Sequence, residues 1–137
     1  AYFGEKDFQQ LQIIKKLVKM TKANVKIVAC SIEREPSGLA MSSRNIRLTT
    51  GERSHASKIY EALKMTKDKF SDTPLDEITQ WVADQFEKDA IINLEYFEIS
   101  EQLTLQSANK IEPQKKYRAF ISAYIRNIRL IDNIALN

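Results

Sequence analysis

Arg34-Glu35-Pro36-Ser37-Gly38-Leu39-Ala40-Met41-Ser42-Ser43-Arg44-Asn45 stands between an apolar, strand-like run and a long helical pattern, and its place there decides the fold. Gly38 lets the backbone turn. The hydroxyls of Ser42 and Ser43, the Arg44 guanidinium and the Asn45 carboxamide are donors able to surround a polyphosphate. On residue type alone, an ordinary Ser/Asn-rich turn is the favoured reading. A second polar cluster, Phe3-Gly4-Glu5-Lys6-Asp7-Phe8-Gln9-Gln10, shifts that balance. It opens a helix, whose first amides lack intrahelical partners and so add donors of their own.

Before the loop, Val25-Lys26-Ile27-Val28-Ala29-Cys30-Ser31-Ile32 is short, β-branched and mostly apolar, the kind of run buried in a parallel sheet. Cys30 is accordingly read as core. Upstream of it, Leu11, Ile14, Leu17 and Val18 recur at helical spacing from Asp7 to about Thr21, and Lys6, Asp7 and Gln10 fall on one edge of the first turn. Helix followed by buried strand is the second half of a βαβ unit. Ligands of such sheets gather at the carboxyl ends of the strands, where the Arg34–Asn45 loop begins.

After the loop, Thr49 and Glu52 form a capping-box pattern that opens a helix with a buried face of Ala56, Ile59, Tyr60, Leu63 and Phe70, ending near Ser71-Asp72. Thr73-Pro74-Leu75-Asp76 reads as a second capped start, leading to a stripe of Leu75, Ile78, Val82 and Phe86 with Trp81 beside it. The period then changes. Ile92 to Ile99 alternates and doubles at Tyr96-Phe97, which predicts a strand with a bulge or with both faces partly covered; Tyr117–Arg126 and Ile128–Ile134 complete a small antiparallel sheet. The fold class is therefore α+β: an α/β piece of helix and parallel strand, a boundary near Ile32, then helices and an antiparallel sheet.

A chain of 137 residues suits one ordinary domain, or a small domain plus part of another. No stretch is long and apolar enough to span a membrane, and the start Ala1-Tyr2-Phe3-Gly4-Glu5 has no signal-peptide pattern, so the expectation is a soluble protein without a membrane partner. A single cysteine excludes an internal disulfide framework and fits a reducing cytoplasm. The net charge of +3 comes from cations scattered among acids, and most aromatics fall at buried periods, so nucleic acid is the weakest partner class. His55, the only histidine, lies within a predicted helix and is read as a surface or interface side chain.

The two motifs Phe3-Gly4-Glu5-Lys6-Asp7-Phe8-Gln9-Gln10 and Arg34-Glu35 with Gly38 to Asn45, followed by Leu94-Glu95-Tyr96-Phe97 and Arg129-Leu130-Ile131-Asp132-Asn133, resemble the pantoate-beta-alanine ligase (pantothenate synthetase) family. The resemblance covers essentially the whole chain. It implies an AMP-forming ligase of the nucleotidyltransferase superfamily, in which pantoate attacks ATP and beta-alanine displaces AMP from the pantoyl adenylate, with magnesium accompanying the ATP. Residues 1–32 would then end a Rossmann-like nucleotide-binding domain, and residues 33–137 would be a lid domain carrying the phosphate loop. By the same resemblance Gly4, Glu5, Lys6, Asp7, Glu33, Met41, Ser42, Ser43 and Arg44 contact ATP. Gly4 and Asp7 hold the ribose, Glu33 meets adenine through its backbone, and Lys6, Ser42, Ser43 and Arg44 act in catalysis. Gln10 binds pantoate, no residue is assigned to the metal, and the full-length enzyme is expected to be a cytoplasmic homodimer.

Two positions depart from the family pattern: Ser37 stands where an acid is usual before the Gly, and Glu33 stands where a small apolar residue is usual. The family's chains are longer, with a histidine-containing ATP motif in the amino-terminal half, so the resemblance implies a carboxy-terminal portion, inactive when isolated. The competing reading is a non-catalytic nucleotide-binding or interaction module built on the same loop.

Overall fold

A computed structural model describes residues 1–137. The fold divides into two compact units, Ala1–Glu33 and Arg34–Asn137. No helix is long and apolar enough to cross a membrane.

In the first unit, strand β1 (Tyr2–Gly4), a 3-10 turn (Glu5–Asp7), helix α1 (Phe8–Thr21) and strand β2 (Val28–Cys30) make one βαβ element. The strands pair in parallel with Gly4 opposite Cys30, so their carboxyl ends lie side by side. α1 stops where Lys22 takes a left-handed conformation, φ 53°, and returns its N–H to the Val18 carbonyl. Two expectations need correcting. The strand predicted over Val25–Ile32 is three residues long, because β1 offers only Tyr2, Phe3 and Gly4 as ladder partners. Cys30 is exposed rather than core. β1 itself is too short to leave a periodic signal in the sequence.

The second unit is a two-layer α+β arrangement. Helices α2 (Thr50–Ala56), α3 (Lys58–Lys69) and α4 (Leu75–Glu87) precede strands β3 (Ile92–Glu101), β4 (Tyr117–Ile125) and β5 (Ile128–Ala135), which pair antiparallel in the order β3-β4-β5. Ile59 and Leu63 of α3, with Ile78, Val82 and Phe86 of α4, form one core with Ala119, Ile121, Ala123 and Ile125 of β4. Those four β4 residues share one face at the strand period of two. Of the two alternatives left open by the Tyr96-Phe97 doubling, a bulge is present as a register shift between Leu94 and Tyr96, which leaves Glu95 as the extra residue. Its carboxylate accepts from the Ser122 hydroxyl and from Arg129 Nε at 2.7 Å, and these hold it below the usual carboxylate range.

The capping box predicted at Thr49 and Glu52 forms in both directions, with bonds of 3.2 and 2.9 Å. Arg126, in the tight turn between β4 and β5, reaches the same Glu52 at 2.7 Å and draws its pKa down to about 2. The single helix expected from the Thr49 cap to near Ser71-Asp72 is broken at Ser57, whose hydroxyl bonds back to the Ser54 carbonyl at 2.7 Å. The second predicted cap also differs, since Pro74 occupies that position and offers no side-chain bond. His55 is more than a surface side chain. Its Nδ1 lies 2.8 Å from Asp89 Oδ2, and Lys58 bonds the same oxygen. Burial alone would push the Asp89 carboxyl up. Lys58, His55 and the backbone N–H groups of Ile91 and Ile92 outweigh that and hold it well below its ordinary value.

Candidate functional site

The predicted site residues divide between the two units: Gly4, Glu5, Lys6, Asp7, Gln10 and Glu33 belong to the first, and Met41, Ser42, Ser43 and Arg44 to the second. In the first unit, Gly4–Asp7 follows the carboxyl end of β1 and Ser31–Glu33 follows that of β2, so both segments occupy the edge where parallel sheets collect ligands. Asp7 is the N-cap of α1 yet makes no capping bond, which leaves its carboxylate available, and Gln10 is exposed one turn on. Gly4 has φ −72°, and a Cβ built there would meet nothing within 4 Å. Neither conformation nor neighbours require glycine. A ligand lying against the backbone would.

In the second unit the loop is built in two parts. The base is a tight turn in which the Gly38 N–H bonds the Glu35 carbonyl and the Glu35 N–H bonds the Leu39 carbonyl, both at 2.8 Å. Pro36, second in that turn, has the φ it needs, and Gly38 takes φ +90°. The Ser37 hydroxyl accepts from the Leu39 N–H at 3.4 Å. An acid could make the same bond, so the Ser37 departure keeps the chemistry of the turn.

The tip runs from Met41 to Arg44 and is closed by Asn45. The Asn45 carboxamide donates to the Ala40 carbonyl at 3.0 Å and to Glu35 at 2.9 Å. Asn45 is therefore a buried structural residue, not the ligand donor its type suggested. Arg53 grips both ends, with Nη1 on the Glu35 carboxylate at 2.9 and 3.0 Å and Nη2 on the Asn45 carbonyl at 2.8 Å. Ser42 Oγ accepts from the Arg44 N–H at 3.2 Å and keeps its own proton to donate. The Ser43 hydroxyl and the Arg44 guanidinium are exposed and make no side-chain bond within the chain.

Reading the sequence missed what holds this loop. Arg34 forms a bidentate pair with Asp132 of β5 at 2.6 and 3.0 Å and donates to the Gly38 carbonyl at 3.0 Å. Its guanidinium also lies 3.8 Å from the centre of the Tyr60 ring. One signal was visible: Asp132 interrupts Ile128, Leu130 and Ile134 on the alternation that faces the core, where a carboxylate needs a partner. As for a metal, no group of three or more His, Cys, Asp or Glu residues is placed to hold one. Mg²⁺ carried by nucleotide phosphates requires no such group.

Similarity to known proteins extends across both units. The sequence profile described as pantoate-beta-alanine ligase matches residues 1–135. The pantothenate synthetase of Flavobacterium psychrophilum is 52% identical over 99% of this chain and 48% of its own length. That of Christiangramia forsetii is 54% identical over 100% of this chain and 48% of its own. Among solved structures, the pantothenate synthetase of Thermus thermophilus superposes with a TM-score of 0.89 at 28% identity, covering 99% of this chain and 49% of that one. The pantoate-beta-alanine ligase of Francisella tularensis, solved with beta-gamma ATP and beta-alanine, gives a TM-score of 0.65 at 38% identity over 98% of this chain and 42% of that one. The chain thus spans about half the length of the curated relatives it matches.

Proposed function

From the premise that the chain belongs to the pantoate-beta-alanine ligase family, we propose that it is part of an ATP-dependent ligase that makes pantothenate from pantoate and beta-alanine. A pantoate carboxylate oxygen attacks the α-phosphorus of ATP while the bond to pyrophosphate breaks, and pyrophosphate leaves with the electron pair. The amine of beta-alanine then attacks the acyl carbon of the pantoyl adenylate, AMP departs, and the amine proton passes to solvent. Residues 1–32 end the nucleotide-binding domain and residues 33–137 form the lid. The whole enzyme is a cytoplasmic homodimer in this reading.

The observation that carries the proposal is the Met41–Arg44 tip, anchored from beneath while the Ser43 hydroxyl and Arg44 guanidinium point their donors at no group of the chain. The open space over Gly4 supports it, since a ribose could lie against that backbone. Adenylation builds negative charge on the α-phosphate oxygens and on the departing pyrophosphate. Lys6, Arg44, Ser42 and Ser43 would therefore stabilise the transition state more than the bound substrates. Mg²⁺, when present, would neutralise part of the polyphosphate charge. The Gln10 carboxamide both donates and accepts, which suits the hydroxyls and carboxylate of pantoate. Asp7 would accept ribose hydroxyl protons, and Glu33 would meet adenine through its backbone.

The test is Arg44→Ala and Lys6→Ala in the full-length gene product. Pantoate-dependent exchange of pyrophosphate into ATP should fall by at least tenfold with little change in pantoate KM. A loss confined to KM would mean these charges bind ground and transition states alike. The 137 residues alone should release no AMP with ATP, pantoate, beta-alanine and Mg²⁺. Turnover by them would remove the need for the remaining half.

A further inference from the structure

We propose that Arg34 and Asp132 are positioning residues, which set the phosphate loop in its working geometry by bolting its base to the core of the second unit. This rests on the ligase reading above. The Asp132 side chain is 2% exposed, on the core-facing register of β5. Burying such a charge pair is costly, and well-packed apolar residues often do as well or better for stability alone. The pair must therefore be judged by what it holds.

What it holds is the turn beneath the tip. One guanidinium is fixed by three different elements: the Asp132 carboxylate of β5, the Tyr60 ring of α3 and the Gly38 carbonyl of the loop itself. The planar fork satisfies these together, which a lysine ammonium cannot. Arg34 and Ala40 are bridged across the turn, and Ala40 leads directly into Met41. Orientation at the tip is thus inherited from Arg34, whose three hydrogen bonds to Asp132 and Gly38 stay within the chain. Misplacing a reacting group by about 1 Å can cost roughly 100-fold in rate.

The experiment uses the full-length gene product carrying Arg34→Lys, Asp132→Asn or both, with two readouts. The first is steady-state adenylation: kcat should fall at least tenfold in each single variant while pantoate KM moves less than threefold. The double variant should be no worse than the worse single, because either change unbolts the same turn. The second is amide hydrogen exchange, which should quicken at least tenfold at Glu35 and Gly38 while Leu63 in α3 and Ile121 in β4 keep their protection. Unchanged exchange overturns the proposal whatever the activity. Faster exchange with wild-type kcat also overturns it, by showing the pair to be structural only. Should the unaltered protein form no adenylate, the ligase reading falls, and exchange still decides whether the pair sets the turn. If Asp132→Asn does not fold, Arg34→Lys, which keeps the charge pair, carries the test.

Discussion

Replacing Gly38 with alanine challenges the loop base at two points whose sizes can be worked out. The residue sits at φ +90°, a region that costs an L-residue roughly 1–3 kcal/mol. The new Cβ would stand 2.4 Å from Tyr60 Cδ1, with Cε1 and Cγ at 3.2 and 3.3 Å. The ring would have to retreat by about 1 Å to restore ordinary carbon contact. Retreat removes the Arg34 guanidinium from the ring face, an interaction worth about 1–2 kcal/mol when partly desolvated. Alanine also stiffens the unfolded chain, which returns roughly 0.4–1 kcal/mol. The net expectation is a loss of about 1–5 kcal/mol, read by urea unfolding through Trp81, the sole tryptophan of the chain. In a Tyr60→Ala background the same substitution should cost distinctly less, because only the backbone contribution remains. A loss below about 0.5 kcal/mol, or one the Tyr60→Ala background leaves unchanged, would refute the reasoning.

Asp89 and Glu52 both have folded-state pKa values below their ordinary 3.8 and 4.5, so the stability they contribute is full above those values and drains as pH falls. Urea midpoints of the native chain should therefore drop between about pH 5 and pH 2, and Asp89→Asn should flatten that slope while losing roughly 1–3 kcal/mol at neutral pH. An unaltered slope would exclude Asp89 as a source. Thr49→Ala removes one side of the capping box and should cost about 1 kcal/mol in the same assay; a change within error would mean that Arg126 and Glu52 hold the helix start without it. In the first unit Tyr2, Ile13, Leu17 and Met20 are 79%, 56%, 51% and 71% exposed. Light scattering should find the 137-residue chain associating through that face, and Ile13→Lys with Leu17→Lys should suppress it. A well-ordered monomer before substitution would count against the prediction.

The second unit was legible because its signals are local. Helical stripes, the Thr49 capping box and the doubling at Tyr96-Phe97 are each short-range signals, and each corresponds to an observed element or bulge. The length of β2 was not legible, since an apolar run states what could be buried and not how many partners a neighbouring strand supplies. Cys30 was misplaced for the same reason. Within the loop, residue types identified the tip, yet Asn45 looks as much like a ligand donor as Ser43 until its bonds to Ala40 and Glu35 are known. Arg34 finds Asp132 across 98 positions, and Glu35 finds Arg53 across 18, beyond any periodic window.

The span of 98 positions between Arg34 and Asp132 also imposes an order in time. At ribosomal speeds of about 5–20 residues per second, roughly 5–20 s pass between the making of Arg34 and the making of its partner. Throughout that interval the turn at Gly38 can close on its own hydrogen bonds, but its arginine has nothing to grip in β5. A message cut short before the codon for Asp132 would yield a product with every residue of the Met41–Arg44 tip but without the β5 carboxylate that holds its base.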